Sequence, residues 1–249
     1  MFGRSKIATL LGEFLGTAAL TLVVLSVSRS SIGLPYFVAL AVGVVVPVLV
    51  YVFGNVQTGA HLNPAITLGL WTIRKIKSLD AVMYIALQLL GGYLAYLLFT
   101  YFVGSSLPAA TQEFSGRVLV AEAVGGFVLS FAWAAAWYRG HKGLSFGAII
   151  GLAYALGIIV VSSASMGFIN PALALGNRYW IWSTYVLGPV LGSLIGFNLY
   201  SLLFAAPEKV VAATATTKSA RKVAKVAKVA KVAKSAVKKP AKRTTRAKK

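Results

Sequence analysis

Two asparagines, Asn63 and Asn170, each stand directly before a Pro-Ala pair in a short apolar stretch. Asparagine is a preferred helix N-cap and proline is favoured in the first helical turn, so Asn63-Pro64-Ala65 and Asn170-Pro171-Ala172 each predict the start of a helix. A helix N-terminus carries about half a positive charge, and the asparagine amide adds hydrogen-bond donors. This chemistry admits water or a small polar solute and repels a cation or hydronium.

Two carboxylates, Glu13 and Glu122, interrupt otherwise apolar segments. A carboxylate within a membrane is by default a functional candidate, here a proton relay. It is equally able to accept hydrogen bonds from backbone N–H groups of irregular segments, which cannot stay unsatisfied there. The repeat described below favours this structural role, in which Glu13, Glu122 and His61 support the loops that carry the Asn-Pro-Ala motifs.

The remaining composition argues against other chemistry. The chain has no cysteine, two histidines and five acidic residues, so it offers no metal-ligand set. It contains no Ser-His-Asp arrangement, phosphate-binding glycine loop or dinucleotide fingerprint. We therefore expect no enzyme activity, no cofactor and no metal.

The elements that position these residues are membrane spans. Of 249 residues, 58% are hydrophobic and 12% are charged, whereas soluble domains carry about 25% charged residues. A bilayer-crossing helix needs about 20 apolar residues. The charged residues delimit six such spans, predicted at residues 7–28, 35–54, 80–103, 118–138, 144–163 and 180–204.

Two charge-free intervals, Arg29–Arg74 and Lys142–Arg178, are too long for one span and too short for two. When one span is placed in each interval, an apolar stretch remains: Gln57–Trp71 in the first and Ser165–Asn177 in the second. Each stretch contains one Asn-Pro-Ala motif. Such stretches are typical of re-entrant segments. About ten helical residues rise ~15 Å, half a membrane, so two half-helices from opposite faces would meet N-terminus to N-terminus.

The two halves of the chain repeat these landmarks. Glu13 and Glu122 are 109 positions apart, and Asn63 and Asn170 are 107 apart. Each half has three spans, an odd number, so the second half enters the membrane from the opposite side. In inverted repeats of this kind the functional site lies near the midplane, where the two repeats meet. The predicted fold is an all-α membrane protein with six transmembrane helices, two re-entrant half-helices and an inverted 3+3 repeat.

Glycines recur every four residues on one face of three spans. Small residues at this spacing allow close approach of helices in lipid. They are Gly188, Gly192 and Gly196, then Gly147 and Gly151, then Gly12 and Gly16.

The stretches Thr58–Ala65 and Gly167–Ala172 resemble the signature loops of the major intrinsic proteins, the aquaporins and aquaglyceroporins. Gly12–Thr17, Gln88–Gly91 and Gly188-Pro189 fall where that family has similar residues, and the resemblance covers about residues 5–205. It implies a homotetramer with one pore per protomer. It also implies passive flux of water or small uncharged solutes such as glycerol-like polyols, urea, ammonia or dissolved gases.

The sequence departs from that family at the expected constriction. Leu173 occupies the position that is usually Arg, and the other three positions align with Val42 (or Gly43), Ile158 and Gly167. This ring has no side-chain donor and no fixed cation. It predicts either a wider, more apolar pore than a strict water channel or a hydrophobic gate that dewets.

A change of composition divides the chain into residues 1–205, the channel domain with repeats at about 5–103 and 117–204, and residues 206–249, a basic tail. Residues 209–249 contain fifteen Lys or Arg and no acid. Such a run is typical of a disordered, solvated chain. It could also adhere to anionic lipid or bind nucleic acid, and we favour the lipid surface.

The basic residues between the spans predict the orientation. With both termini in the cytoplasm, the inner side of residues 1–205 carries seven Lys or Arg and the outer side three, as the positive-inside rule requires. We expect a multi-pass protein of the cell membrane. Two further functions remain open: a proton-coupled transporter that uses Glu13 or Glu122, and a non-conducting anchor for the basic tail.

Overall fold

The structure, a computed structural model, describes residues 4–30, 34–54, 60–111 and 113–205. The tail predicted at 206–249 lies outside the described residues. Within the described residues, six helical stretches are long and apolar enough to cross a membrane. Their bounds agree with the predicted spans to within three residues, which confirms the predicted spans. They are α1 Arg4–Ser28, α2 Pro35–Phe53, α4 Ser78–Val103, α5 Gly116–Tyr138, α6 Gly143–Val161 and, after a π-helical stretch Trp182–Val186, α8 Leu187–Leu203.

The two half-helices, α3 Pro64–Thr72 and α7 Pro171–Gly176, begin at the predicted prolines. Helix α3 has 9 residues, close to the length of about ten that was predicted, whereas α7 has 6 and is markedly shorter. Each ends in the same way, because an arginine with positive φ follows: Arg74 at 60° and Arg178 at 69°. A residue in the left-handed region turns the chain out of the helix and ends it.

The half-helices end at opposite ends of the bundle. At the end where α1 and α4 begin, Lys6 pairs with Asp80 at 2.7 Å. The half-helix α3 ends here too, since Trp71 Nε1 donates to Ser78 Oγ at 3.0 Å. At the other end, just past α7, the carbonyl of Arg178 accepts from the backbone N–H of Ala110, which follows α4. This arrangement is the inverted one that the repeat predicts.

The predicted glycine stripes lie where helices cross most closely. On α8, a Cβ added to Gly192 would overlap the carbonyl oxygen of Ala123 and approach Phe127 N to 2.7 Å on α5. On α6, a Cβ at Gly151 would come within 2.6 Å of Gly43 O on α2. Backbone atoms of a helix cannot move aside as a flexible side chain can, so these contacts require glycine.

Substitution Gly192→Ala tests the crossing of α5 and α8. Its methyl group would meet helix backbone, and overpacking of this kind costs about 1–3 kcal/mol. We expect a lower unfolding temperature in detergent, measured by static light scattering. Gly116→Ala is the matched control, because its Cβ would meet only Phe114 Cζ at 3.9 Å; an equal loss of stability in both variants would contradict the close-approach account.

Candidate functional site

The two Asn-Pro-Ala motifs meet inside the bundle and are joined by crossed hydrogen bonds. Asn63 Nδ2 donates to the carbonyl of Ile169 at 3.0 Å, and Asn170 Nδ2 donates to the carbonyl of Leu62 at 2.8 Å. Both asparagines are buried. Each amide of one half therefore holds the loop of the other half.

The same asparagines cap the half-helices. Asn63 Oδ1 accepts from the N–H of Ala65, and Asn170 Oδ1 accepts from the N–H of Ala172, both at 2.9 Å. The amide group has one acceptor oxygen and two N–H donors. The oxygen thus accepts the N-cap hydrogen bond, and one N–H donates to the opposite loop.

Glu13 holds the loop before α3. Its two carboxylate oxygens accept from the backbone N–H groups of His61 and Leu62, both at 2.8 Å. Gln88 on α4 also donates to Glu13, from Nε2 at 2.7 Å. The carboxylate is buried, so these donors replace the water that it lacks.

Glu122 does the same for the loop before α7. Its carboxylate accepts from the N–H groups of Phe168 at 3.1 Å and Ile169 at 2.6 Å. The Ser165 hydroxyl is a further donor to it. The two glutamates thus make equivalent contacts in the two halves, as their structural role requires.

The loop residues that these carboxylates hold have unusual backbone angles. Leu62 has φ of 53° and Ile169 has φ of 42°. Leucine and β-branched isoleucine seldom adopt the left-handed region, and such strain costs of order 1–3 kcal/mol per residue. The N–H of each residue binds a glutamate and its C=O binds the opposite asparagine, so the contacts on both sides hold the strained geometry.

A cavity of about 110 Å³ lies beside the junction, toward the end of the bundle where α1 finishes and α2 starts. Ile158, Gly167 and Leu173, three of the four predicted constriction residues, line it. Val42 does not line it. Helix α2 contributes Pro35 and Val38 to this wall, and Val38 lies one turn before Val42. The other wall residues are mainly apolar, with the hydroxyls of Ser28, Ser162 and Ser165 as polar exceptions.

A second cavity, of about 10 Å³, lies on the other side of the junction. Among its lining residues, His61, Asn63, Trp133 and Tyr154 have polar side-chain atoms, and the others are apolar. The two cavities have no lining residue in common.

Apart from Ile158, sequence reasoning missed the residues of the spans that line the two cavities. They recur at intervals of four or eight residues on one face of each helix: Leu20 and Val24 on α1, Val38, Val46 and Val50 on α2, Leu129 and Trp133 on α5, and Ile150 and Tyr154 on α6. The four-residue spacing was a usable signal. However, apolar residues cover every face of these spans, so periodicity alone does not separate the inward face from the lipid-facing one.

No group of three or more His, Cys, Asp or Glu side chains in the described residues could hold a metal ion. The site is built from amides, backbone carbonyls and apolar walls. Its two carboxylates are engaged by loop N–H groups rather than presented to either cavity.

Substitution Glu122→Gln tests the loop support. Glutamine keeps one acceptor oxygen and places an NH₂ against the N–H of Phe168 or Ile169, which leaves a buried donor unpaired at about 1–3 kcal/mol. We expect lower thermal stability in detergent and unchanged dependence of flux on a proton gradient. Glu113→Gln, at an exposed carboxylate, is the control; a flux that needs a proton gradient in the wild type would contradict the structural role.

Comparison with known proteins agrees with this geometry. Residues 3–200 match the family described as major intrinsic protein. Aquaporin AqpM of Methanothermobacter thermautotrophicus is 32% identical over 188 residues, which cover 67% of this chain and 76% of the relative. Aquaporin Z of Photorhabdus laumondii is 29% identical over 233 residues, with 80% and 98% covered.

The fold is also that of a solved structure, the aquaglyceroporin from Plasmodium falciparum. The TM-score is 0.66 at 21% identity, with 80% of this chain and 96% of that chain covered. The family match extends over most of the chain and includes both Asn-Pro-Ala motifs. The protein therefore belongs to the major intrinsic protein family.

Proposed function

We propose that the junction of the two Asn-Pro-Ala motifs is the ion-excluding centre of a solute pore that runs between the two cavities. As a member of its family the chain is a passive membrane channel for water or small uncharged solutes, and not an enzyme. The observation that carries the proposal is the pair of crossed hydrogen bonds between Asn63 and Ile169 and between Asn170 and Leu62.

The electrostatics of the junction support exclusion of cations. Both half-helices point their N-termini at it, and each N-terminus carries partial positive charge. The nearest carboxylates, Glu13 and Glu122, have their oxygens occupied by backbone N–H groups of the loops. No other carboxylate of the described residues lies at the junction, so no negative charge is free there to replace the water that a cation would lose. Occupation of both carboxylates also disfavours proton-coupled transport.

The larger cavity supports a solute class broader than water alone. Ile158 and Leu173 in its wall are apolar, and Leu173 stands where the family usually has Arg. A wall without a fixed cation lacks the repulsion that an arginine would supply, and its apolar surface favours neutral solutes that have apolar groups. We therefore propose Ile158, Gly167 and Leu173, with Val38 in place of Val42, as the constriction. Glycerol-like polyols, urea, ammonia and dissolved gases are the candidate solutes besides water.

Stopped-flow light scattering of proteoliposomes in a glycerol gradient tests this function. Fast shrinkage reports water and fast re-swelling reports glycerol. We expect both to exceed the rates of empty liposomes, with no ion conductance. Flux no faster than in empty liposomes would support the alternative of a non-conducting anchor instead.

The variant Ile158→Trp tests the location of the pore. Its larger side chain would fill the cavity of about 110 Å³. We expect glycerol flux per channel to fall about tenfold or more, which corresponds to ~1.4 kcal/mol on the barrier. Leu152→Trp on the same helix is the control, because Leu152 is 69% exposed and Ile158 is 1% exposed. Equal flux in both variants would place the solute path elsewhere.

Assembly and orientation complete the proposal. We infer a homotetramer, by resemblance to the family, in the cell membrane with cytoplasmic termini. The positions of the basic residues support this orientation. Arg4, Lys6, Arg74, Lys75, Lys77, Arg139 and Lys142 stand near the helix ends at one end of the bundle, and Arg29, Arg117 and Arg178 stand near those at the other.

The basic tail is proposed as a separate domain, residues 206–249 after the channel domain 1–205. Its fifteen basic residues in 209–249 support contact with anionic lipid at about 1 kcal/mol per residue near the surface. We expect deletion of 209–249 to weaken binding of nanodisc-embedded protein to anionic vesicles in a flotation assay. Unchanged binding would reject this role. Retention of nucleic acid by the full chain but not by the deletion variant would favour nucleic acid as the partner of the tail.

A further inference from the structure

Two buried polar atoms beside the Asn-Pro-Ala junction have no hydrogen-bond partner among the described residues: His61 Nε2 and Trp133 Nε1. Both side chains are 2% exposed, and both line the smaller cavity. Their rings meet edge to face with centroids 6.1 Å apart. A buried polar group without a partner is costly, so two in one wall call for an explanation.

The hydrogen-bond network around Thr67 assigns the proton of His61. Gln88 Nε2 donates to Thr67 Oγ1 at 2.9 Å, and that hydroxyl donates to the carbonyl of Asn63 at 3.1 Å. The contact of the hydroxyl with Gln88 Oε1 is longer, at 3.3 Å. A hydroxyl has one proton and two acceptor positions, so its remaining position accepts from His61 Nδ1, which lies 3.1 Å away.

This assignment fixes the chemistry of the other ring nitrogen. In a neutral imidazole with its proton on Nδ1, Nε2 is an acceptor only. The indole Nε1 of Trp133 is a donor only. Two side chains that line the smaller cavity therefore carry one unused acceptor and one unused donor.

The size and lining of the cavity match a single small group. Its volume of about 10 Å³ is close to the 10–15 Å³ at which a cavity holds about one water. Most of the remaining wall is aliphatic, with Leu20, Val50 and Ile66 as examples. A solute held there loses its hydration and regains hydrogen bonds from few groups.

The repeat supplies an internal comparison. At the spacings of the two glutamates and the two asparagines, Trp133 corresponds to Val24 and His61 corresponds to Phe168. Val24 and Phe168 line the larger cavity. The same two positions are thus apolar in the wide cavity and polar in the narrow one.

We propose that His61 and Trp133 form a second, hydrogen-bonding filter of the pore. It binds one hydroxylic group, a water or a hydroxyl of a small polyol, which donates to His61 Nε2 and accepts from Trp133 Nε1. The inference deepens the proposed channel function and rests on it. The filter would select polar solutes at the smaller cavity, whereas Leu173 lines the larger cavity on the other side of the junction.

The variant Trp133→Phe tests the filter. Phenylalanine removes the N–H and is smaller than tryptophan, so it can only widen the passage. We expect water permeability per channel in proteoliposomes to fall about fivefold, the effect of one lost hydrogen bond on a barrier. Trp137→Phe, one turn along α5 and outside the wall of the smaller cavity, is the matched control and should keep the wild-type rate.

Three outcomes distinguish the two proposals. No flux in the wild type overturns the channel function itself. A conducting wild type with unchanged or faster water flux in Trp133→Phe overturns the filter and leaves the channel intact. A conducting wild type with a selective loss in Trp133→Phe supports both.

A measurement on the wild type keeps the filter testable if the variant does not fold. A high-resolution experimental structure of the full chain in nanodiscs should show an ordered water within hydrogen-bond distance of both His61 Nε2 and Trp133 Nε1. A dry cavity between these two atoms would overturn the proposal.

Discussion

The geometry of the site depends on the two crossed hydrogen bonds between asparagine amides and loop carbonyls. For Leu62 and Ile169 to present those carbonyls, their backbones must turn into the left-handed region. That turn leaves their N–H groups facing away from any helix, and only Glu13 and Glu122 accept them. The carboxylates, the strained residues and the asparagines therefore form one interdependent unit, and loss of one member leaves the others unsatisfied.

The parts of this unit that could be predicted from the sequence are those that local chemistry dictates. Asparagine before proline specifies an N-cap wherever it stands, so the first residues of α3 and α7 followed directly. The six spans followed from spacing between charges. The length of α7 did not follow, because the residue that takes the left-handed conformation and ends it is Arg178. Glycine and asparagine are the usual residues in that conformation, yet Gly176 and Asn177 precede it.

The walls of the two cavities could be predicted only in part, for a reason that applies to all membrane helices. Helix faces toward lipid and toward the bundle are both apolar, so hydrophobicity does not show which valines of α2 point inward. Alignment with the family suggested Val42, whereas Val38 lines the cavity with Ile158 and Leu173. The helix crossing at Gly43 and Gly151 sets the rotation of α2, and this is a property of the packed structure.

The duplicated scaffold allows its two halves to differ chemically without loss of the junction. Both halves keep glutamate, left-handed loop residue and asparagine, because the crossed hydrogen bonds require each of them. The flanking positions carry no such requirement, so one half has Phe168 where the other has His61. On the His61 side the support extends further, since Glu13 orients Gln88, Gln88 donates to Thr67, and Thr67 faces the imidazole. A residue that secures the loop backbone thereby also takes part in orienting the ring of a neighbouring side chain.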